Sequence, residues 1–186
     1  MPSPREGGPS FPLSHRLFRA LWSSCWLALG AWTPPPFARW RRLLLVVFGA
    51  QLAPTARVYG SARVWYPPHL RMAAHSVLGP RCDCYCMAEV TVGAHATVSQ
   101  GARLCAGSHD VDDPEFPIVS QPIVIGEDAW IAAEAFVGPG VTVGEGAVLG
   151  ARGVAFSDLA PWTIYAGNPA KPLRLRKHPG RDAASR

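Results

Sequence analysis

Residues 122–155 read PIVIGEDAWIAAEAFVGPGVTVGEGAVLGARGVA, and their spacing decides the fold. Ile125, Ile131, Val137, Val143, Leu149 and Ala155 follow one another at intervals of six. Ile123, Ala129, Ala135, Val141, Ala147 and Gly153 keep the same interval two residues earlier, and Gly126, Gly138, Gly144 and Gly150 follow four of the first set. This is neither a strand's alternation nor a helix's turn of about 3.6 residues, so it marks a repeat unit. A unit with one aliphatic residue, a small residue two before it and a turn-prone Gly makes one short strand and one corner. Three units close a triangular coil of about 18 residues, and successive coils stack at a parallel β spacing of about 4.8 Å. The aliphatic residues then point into the prism and stack on their counterparts, Ile125 on Val143 and Ile131 on Leu149. Small residues fit the crowded corners, and Gly permits their backbone angles. A sandwich of short strands would turn every 8–12 residues or so and show no strict six.

Outward from this stretch the same step runs through Val92, Val98 and Leu104, through Met72, Leu78 and Cys84, and through Val58 and Val64. Between Val64 and Met72, and between Cys84 and Val92, the interval is eight. From Leu104 to Ile125 it is 21, three steps plus three extra residues. The reading is an all-β, three-sided parallel β-helix over 51–165, with an N-terminal helical segment over 16–50. A loose tail over 1–15 and a short C-terminal tail over 166–186 flank them.

The helical segment holds an apolar run from Leu17 to Trp32 behind Arg16 and Arg19, stopped by Thr33-Pro34-Pro35-Pro36. A second predicted helix, Phe37 to Gly49, follows. The first run has the basic start of a signal peptide but no clean small-residue cleavage site. It is also shorter than the roughly 20 apolar residues of a spanning helix. Two readings stay open. The helices pack on the main domain, or they form a hairpin on a membrane surface with Trp22, Trp26, Trp32 and Trp40 as interfacial anchors.

Apolar residues at 48% and seven Trp exclude a disordered chain, despite 18 Gly and 19 Pro. The net charge is +5. The basic residues fall in two short groups, Arg16, Arg19, Arg39, Arg41 and Arg42, then Arg174, Arg176, Lys177 and Arg181. No nucleic-acid module is recognisable, and no nucleic-acid partner is expected; an anionic small ligand or acidic membrane surface explains the groups as well. Five Cys leave no closed disulfide set. Cys82, Cys84 and Cys86 alternate, so on a strand their thiols share one face. They read as reduced core-filling residues, which favours the cytoplasm. A Cys-x2-Cys zinc pattern is absent, and no metal is expected.

The stretches Leu104-Cys105-Ala106-Gly107-Ser108-His109-Asp110, Pro122-Ile123-Val124-Ile125-Gly126, Ala129-Trp130-Ile131 and Gly138-Pro139-Gly140-Val141-Thr142-Val143-Gly144 carry a specific resemblance. So do Ala166-Gly167-Asn168-Pro169-Ala170-Lys171 and the lead-in Arg39-Trp40-Arg41-Arg42-Leu43-Leu44. Over roughly residues 16–177 the chain resembles the left-handed β-helix hexapeptide-repeat acyltransferases, and within them the colanic acid biosynthesis acetyltransferases. That resemblance implies a homotrimer transferring an acetyl group from acetyl-CoA to a sugar hydroxyl of an exopolysaccharide or its precursor. CoA would lie between neighbouring prisms, each site drawing on two subunits. The alternatives are a small xenobiotic or free sugar as acceptor, or a non-catalytic β-helix scaffold.

His109 sits in the irregular stretch 105–121, where sites concentrate on a rigid scaffold. A sugar hydroxyl needs its proton removed as it attacks a thioester, and neutral imidazole suits that near pH 7. The resemblance implies His109 as the catalytic base; the other reading is a surface His among acids. Asp110 either orients the imidazole or fixes the loop. Trp130 falls between two inward positions, so its ring faces outward, onto a ligand or a neighbouring subunit. Tyr85, Cys86 and Gln100 are candidates for the acceptor pocket. The family commonly has Asn at the position of Cys86, which puts that contact in doubt. The resemblance places Ala133 and Ala151 along the pantetheine arm of CoA. A family Lys near its phosphates aligns with Ser157, so Arg152, Arg174 and Arg176 are candidate replacements, Arg174 first. Arg176 and Lys177 read equally as a solvated tail. His75 and His95 are 20 residues apart, one coil plus the two-residue insertion, a spacing that would put them on one face. They lack the close His pair of the γ-carbonic anhydrase zinc enzymes.

Overall fold

The six-residue step becomes a stack of three-sided coils in the computed structural model, which describes residues 10–177. The first face stacks Gln51–Leu52, Leu70–Met72, Val90–Val92, Ile123–Ile125 and Thr142–Val143. The second stacks Arg57–Val58, Val77–Leu78, Thr97–Val98, Trp130–Ile131, Val148–Leu149 and Thr163–Ala166. The third stacks Arg63–Val64, Asp83–Tyr85, Arg103–Cys105, Phe136–Val137 and Val154–Ala155. All these pairings are parallel, and Ile125 pairs with Val143 and Ile131 with Leu149, as the step predicts. Val92, Val98, Leu104, Ile125, Ile131, Val137, Val143 and Leu149 are buried in one column-built core. Each such side chain contributes about 1.5–3 kcal/mol by leaving water.

The corners bring backbones together. A Cβ on Gly126 would lie 2.7 Å from the Glu145 amide nitrogen of the next coil, so this position takes only Gly. Cys82, Cys84 and Cys86 point inward as small core residues. Burial, with the Asp83 charge adding to it, pushes the Cys82 thiol up to about 12, which keeps it protonated.

The extra residues of the sequence all fall between the third face and the first. Residues 65–69, 86–89 and 106–122 therefore stack along one edge of the prism. The repeat stays regular elsewhere, and the irregular edge becomes the place where side chains can be gathered.

The base of the prism explains the helical segment. Each coil donates its N–H groups to the next, as in Ala53 N–H to Met72 O, Arg57 N–H to Ser76 O and Arg63 N–H to Cys82 O. The carbonyls of the first coil are thus left pointing out of the base, an edge that would cost free energy if buried without donors. Helix α1 (Leu13–Leu29) and helix α2 (Ala38–Val47) supply those donors. Trp22 Nε1 donates to Val64 O at 2.7 Å and Trp26 Nε1 to Ala62 O at 3.2 Å. Arg41 Nε donates to Val58 O at 2.7 Å, and Arg42 Nε to Ala53 O at 2.9 Å. All three sides of the base are capped. This corrects the reading of Trp22 and Trp26 as membrane anchors: both are buried against the prism. Trp32 and Trp40 are exposed, their Nε1 groups returned to the carbonyls of Ala28 and Leu29.

Two boundaries differ from expectation. Helix α1 starts at Leu13, directly after Pro12, inside the expected loose tail. At the other end Lys171–Leu175 folds back antiparallel on Thr163–Ala166, so the first part of the expected C-terminal tail is a strand. The rest of both tails, 1–9 and 178–186 with Arg181, lies outside the described residues. Among the described residues no helix is long and apolar enough to cross a membrane.

Candidate active site

His109 ends the strand Gly107–His109, which pairs antiparallel with Ile118–Ser120 in a hairpin rising from the irregular edge. The imidazole stacks on Phe116, ring centroids 4.3 Å apart and planes 12° apart. Its Nδ1 lies 3.0 Å from the Phe116 carbonyl oxygen. A carbonyl only accepts, so this contact assigns the hydrogen to Nδ1 and leaves the Nε2 lone pair available on an exposed side chain. The arrangement holds the ring in one orientation, with Nδ1 committed to the carbonyl.

Asp110 does not touch the imidazole. Its N–H donates to Pro117 O at 3.0 Å, and its Oδ1 accepts the Asp112 N–H at 3.1 Å. Both bonds lie within the loop, while the His109 Nδ1 faces Phe116, so this geometry supports the loop-fixing role of the two left open. Phe116 is the residue that sequence reasoning missed. It acts through a backbone carbonyl, a group every residue has, so no side-chain pattern could announce it.

Tyr85 and Cys86 lie on the same edge one coil below. Cys86 is fully buried, its Sγ accepting the Tyr66 N–H and donating to the Tyr66 carbonyl, both at 3.3 Å. This removes it from the acceptor contacts, since a core thiol with both bonds made has nothing to offer a ligand. Tyr85 is half-buried, and burial raises its phenol above the ordinary value, with Cys105 adding and Arg19 opposing; it stays a neutral donor.

The other predicted residues sit elsewhere. Gln100 lies at the corner between the second and third faces, where its carbonyl accepts the Glu134 N–H. Ala133 and Ala151 stack at that same corner, with the Arg152 N–H donating to Ala133 O at 2.9 Å. The Arg152 guanidinium is tied to Glu134 at 2.6 Å. Trp130 faces outward on the second face, 46% exposed, with Nε1 on Ser99 Oγ at 2.8 Å. Arg174 is exposed on the second face opposite Ile164. Arg176 is no loose tail: Nη1 donates to Asp128 O and Gly146 O at 2.9 and 3.0 Å. Ser157 is exposed beyond Val154–Ala155, on the edge that carries the hairpin. One chain therefore carries the base on one edge, and most of the expected carrier-binding positions on another edge and on the second face. Ala133 and Ala151 leave little side-chain bulk at their corner, and Arg174 is an exposed cation on the second face.

His75 and His95 stack at 4.9 Å with planes 16° apart. Among the described residues no group of three or more His, Cys, Asp or Glu could hold a metal ion.

A parallel triangular β-helix, broken once by a hairpin that presents an oriented imidazole, defines a class of protein: the hexapeptide-repeat transferases. Residues 122–154 match the bacterial transferase hexapeptide (six repeats) family. The chain belongs to the hexapeptide-repeat acetyltransferase family. It is 40% identical over 156 residues, 84% of this chain and 86% of the relative, to WcaF of Escherichia coli K12, an acetyltransferase assigned to colanic acid biosynthesis. Among solved structures, galactoside acetyltransferase in complex with coenzyme A superposes with a TM-score of 0.80 at 21% identity, covering 95% of this chain and 92% of that one. A hexapeptide-repeat acetyltransferase of Vibrio cholerae O1 biovar eltor, complexed with acetyl coenzyme A, gives 0.79 at 22% identity, covering 91% and 93%. These likenesses identify the fold as a left-handed β-helix.

Proposed function

We propose that this chain is an acetyl-CoA-dependent O-acetyltransferase acting on a sugar hydroxyl in exopolysaccharide or surface-glycan biosynthesis. The observation that carries this reading is the His109 imidazole, fixed by the Phe116 carbonyl with Nε2 turned to solvent. Nε2 takes the acceptor's hydroxyl proton as its oxygen attacks the thioester carbonyl. The new C–O bond forms, the C–S bond breaks, and the proton passes from the imidazolium to the departing thiolate. Bound acetyl-CoA supplies the activated acyl group, held along Ala133 and Ala151 with Arg174 at its phosphates. The test is acetyl transfer from acetyl-CoA to a panel of sugars and sugar phosphates, read by mass spectrometry. A mass gain on a hydroxyl is the expected result, and thioester consumed with no acetylated product overturns the reading.

The working unit in this reading is a homotrimer of about 60 kDa, three copies of the 20.0 kDa chain. Its support is the separation of His109 from Ala133, Ala151 and Trp130 on one prism, which leaves each site incomplete without a second copy. Mixing decides it. His109→Ala and Ala151→Trp chains are each inactive alone. Unfolded, mixed in equal amounts and refolded, they regain about a quarter of wild-type activity, the share of interfaces that pair two intact halves. No recovery would place both halves of the site in one chain.

The proposed location is the cytoplasm, with peripheral contact of residues 16–50 to a membrane. Leu13, Leu17, Leu21, Leu43 and Val47 are exposed on helices whose other sides pack on the prism base, and no acid occurs between residues 10 and 50.

A further inference from the structure

Helix α1 and the third face enclose a cleft of about 650 Å³. Three arginines of the helical cap are turned toward the prism, and they are not used alike. Arg41 and Arg42 are saturated by backbone carbonyls of the base and of the Thr33–Pro35 turn. Arg19, which lines the cleft, caps nothing. Its guanidinium sits over Trp65, Cζ 4.0 Å from the ring centroid. Its Nε is buried without a hydrogen-bond partner among the described residues. The two ion pairs among those residues are Arg71–Glu89 and Arg152–Glu134, so no described carboxylate is paired with it. A buried donor left unpaired is destabilising, and such groups in native structures call for an explanation.

The other cleft residues say what kind of group would satisfy it. The cleft lining holds two cations, Arg19 and Arg63, and one carboxylate, Asp83, which lies in register with Arg63 on the neighbouring strand, so the balance favours an anion. Trp65 and Tyr85 meet edge to face at 5.2 Å, an aromatic wall suited to the apolar face of a sugar ring. One lining residue, Tyr85, adjoins the hairpin that carries His109. Tyr85 pairs with Cys105, and a Cβ on Gly107 would lie 3.1 Å from Tyr85 Cε1, two residues before His109. A guanidinium stacked on an aromatic ring keeps its edge for two parallel bonds to a carboxylate or phosphate.

We propose that this cleft binds an anionic group, carboxylate or phosphate, on the sugar acceptor, and that Arg19 is the residue selecting it. This rests on the acetyltransferase reading for its role in turnover, but not for binding itself. The test compares wild type, Arg19→Gln and Arg19→Lys with methyl glucuronide, glucose 1-phosphate and neutral methyl glucoside. Binding is followed by saturation-transfer NMR and acetylation by mass spectrometry, with thermal melts to confirm folding. Arg19→Gln is expected to weaken binding and raise KM about 10–100-fold for an anionic sugar, with kcat, the KM for acetyl-CoA and the neutral sugar changed less than about 2-fold. Arg19→Lys should fall between, since it keeps the charge and loses the fork. The glucuronide and phosphate arms show which anion is preferred. Anionic sugars that bind wild type and Arg19→Gln equally, or fail to bind wild type, overturn the proposal. Arg19-dependent binding without acetylation of any sugar instead leaves the cleft standing and sinks the transferase reading.

Discussion

His109→Ala is expected to lower turnover by about 10²–10⁴-fold while leaving oligomeric mass and melting temperature unchanged. The side chain is exposed, on a hairpin outside the core, so its removal opens no cavity. What is lost is the proton acceptor that Phe116 orients. The structure adds a control that distinguishes base from loop. Asp110→Asn retains an oxygen able to accept the Asp112 N–H, so its turnover is expected within about 3-fold of wild type. If Asp110 instead stabilised an imidazolium, Asn would cost orders of magnitude. Measuring kcat for both variants at saturating acetyl-CoA settles the assignment, and a folded His109→Ala with normal turnover removes His109 from the chemistry.

Arg41→Ala is expected to destabilise the fold by about 3 kcal/mol, read from the denaturant midpoint at constant m. Arg41 is 2% exposed, and its guanidinium donates to Val58 O, to the Thr33 carbonyl and hydroxyl, and to the carbonyls of Pro34 and Pro35. Truncation strips the donor from the buried Val58 carbonyl and from the carbonyls of the turn between the helices, and leaves a cavity besides. The cost should be far above that of Arg39→Ala on the exposed side of the same helix. Equal effects would mean that water takes over the capping and that the helical segment is not a structural lid on the β-helix.

The candidate site was partly legible. His109 stood out because the repeat breaks around it, and Trp130 because it falls between inward positions; both lie where that logic puts them. Cys86 carried two readings, a core-filling thiol by its alternation with Cys82 and Cys84 and an acceptor contact by resemblance, and the fold takes the first, with Sγ bonded to Tyr66. Asp110 could not be resolved, since an acid beside a histidine serves equally as partner or as turn former.

The chain's own spacing determined the coil, the inward residues, their stacking partners and the number of extra residues at each break. A solenoid contacts only its neighbouring turns, so one short period repeated along the chain is nearly the whole of its core. Tertiary structure alone decided that all the breaks stack on one edge and that Trp22, Trp26, Arg41 and Arg42 close the base. It also set the His109 ring against a carbonyl and left the Arg19 Nε, over Trp65, without a partner among the described residues. These depend on where backbone N–H and C=O vectors point and on contacts between distant segments, such as Trp22 with Val64, 42 residues apart. No pattern of residue types encodes such directions.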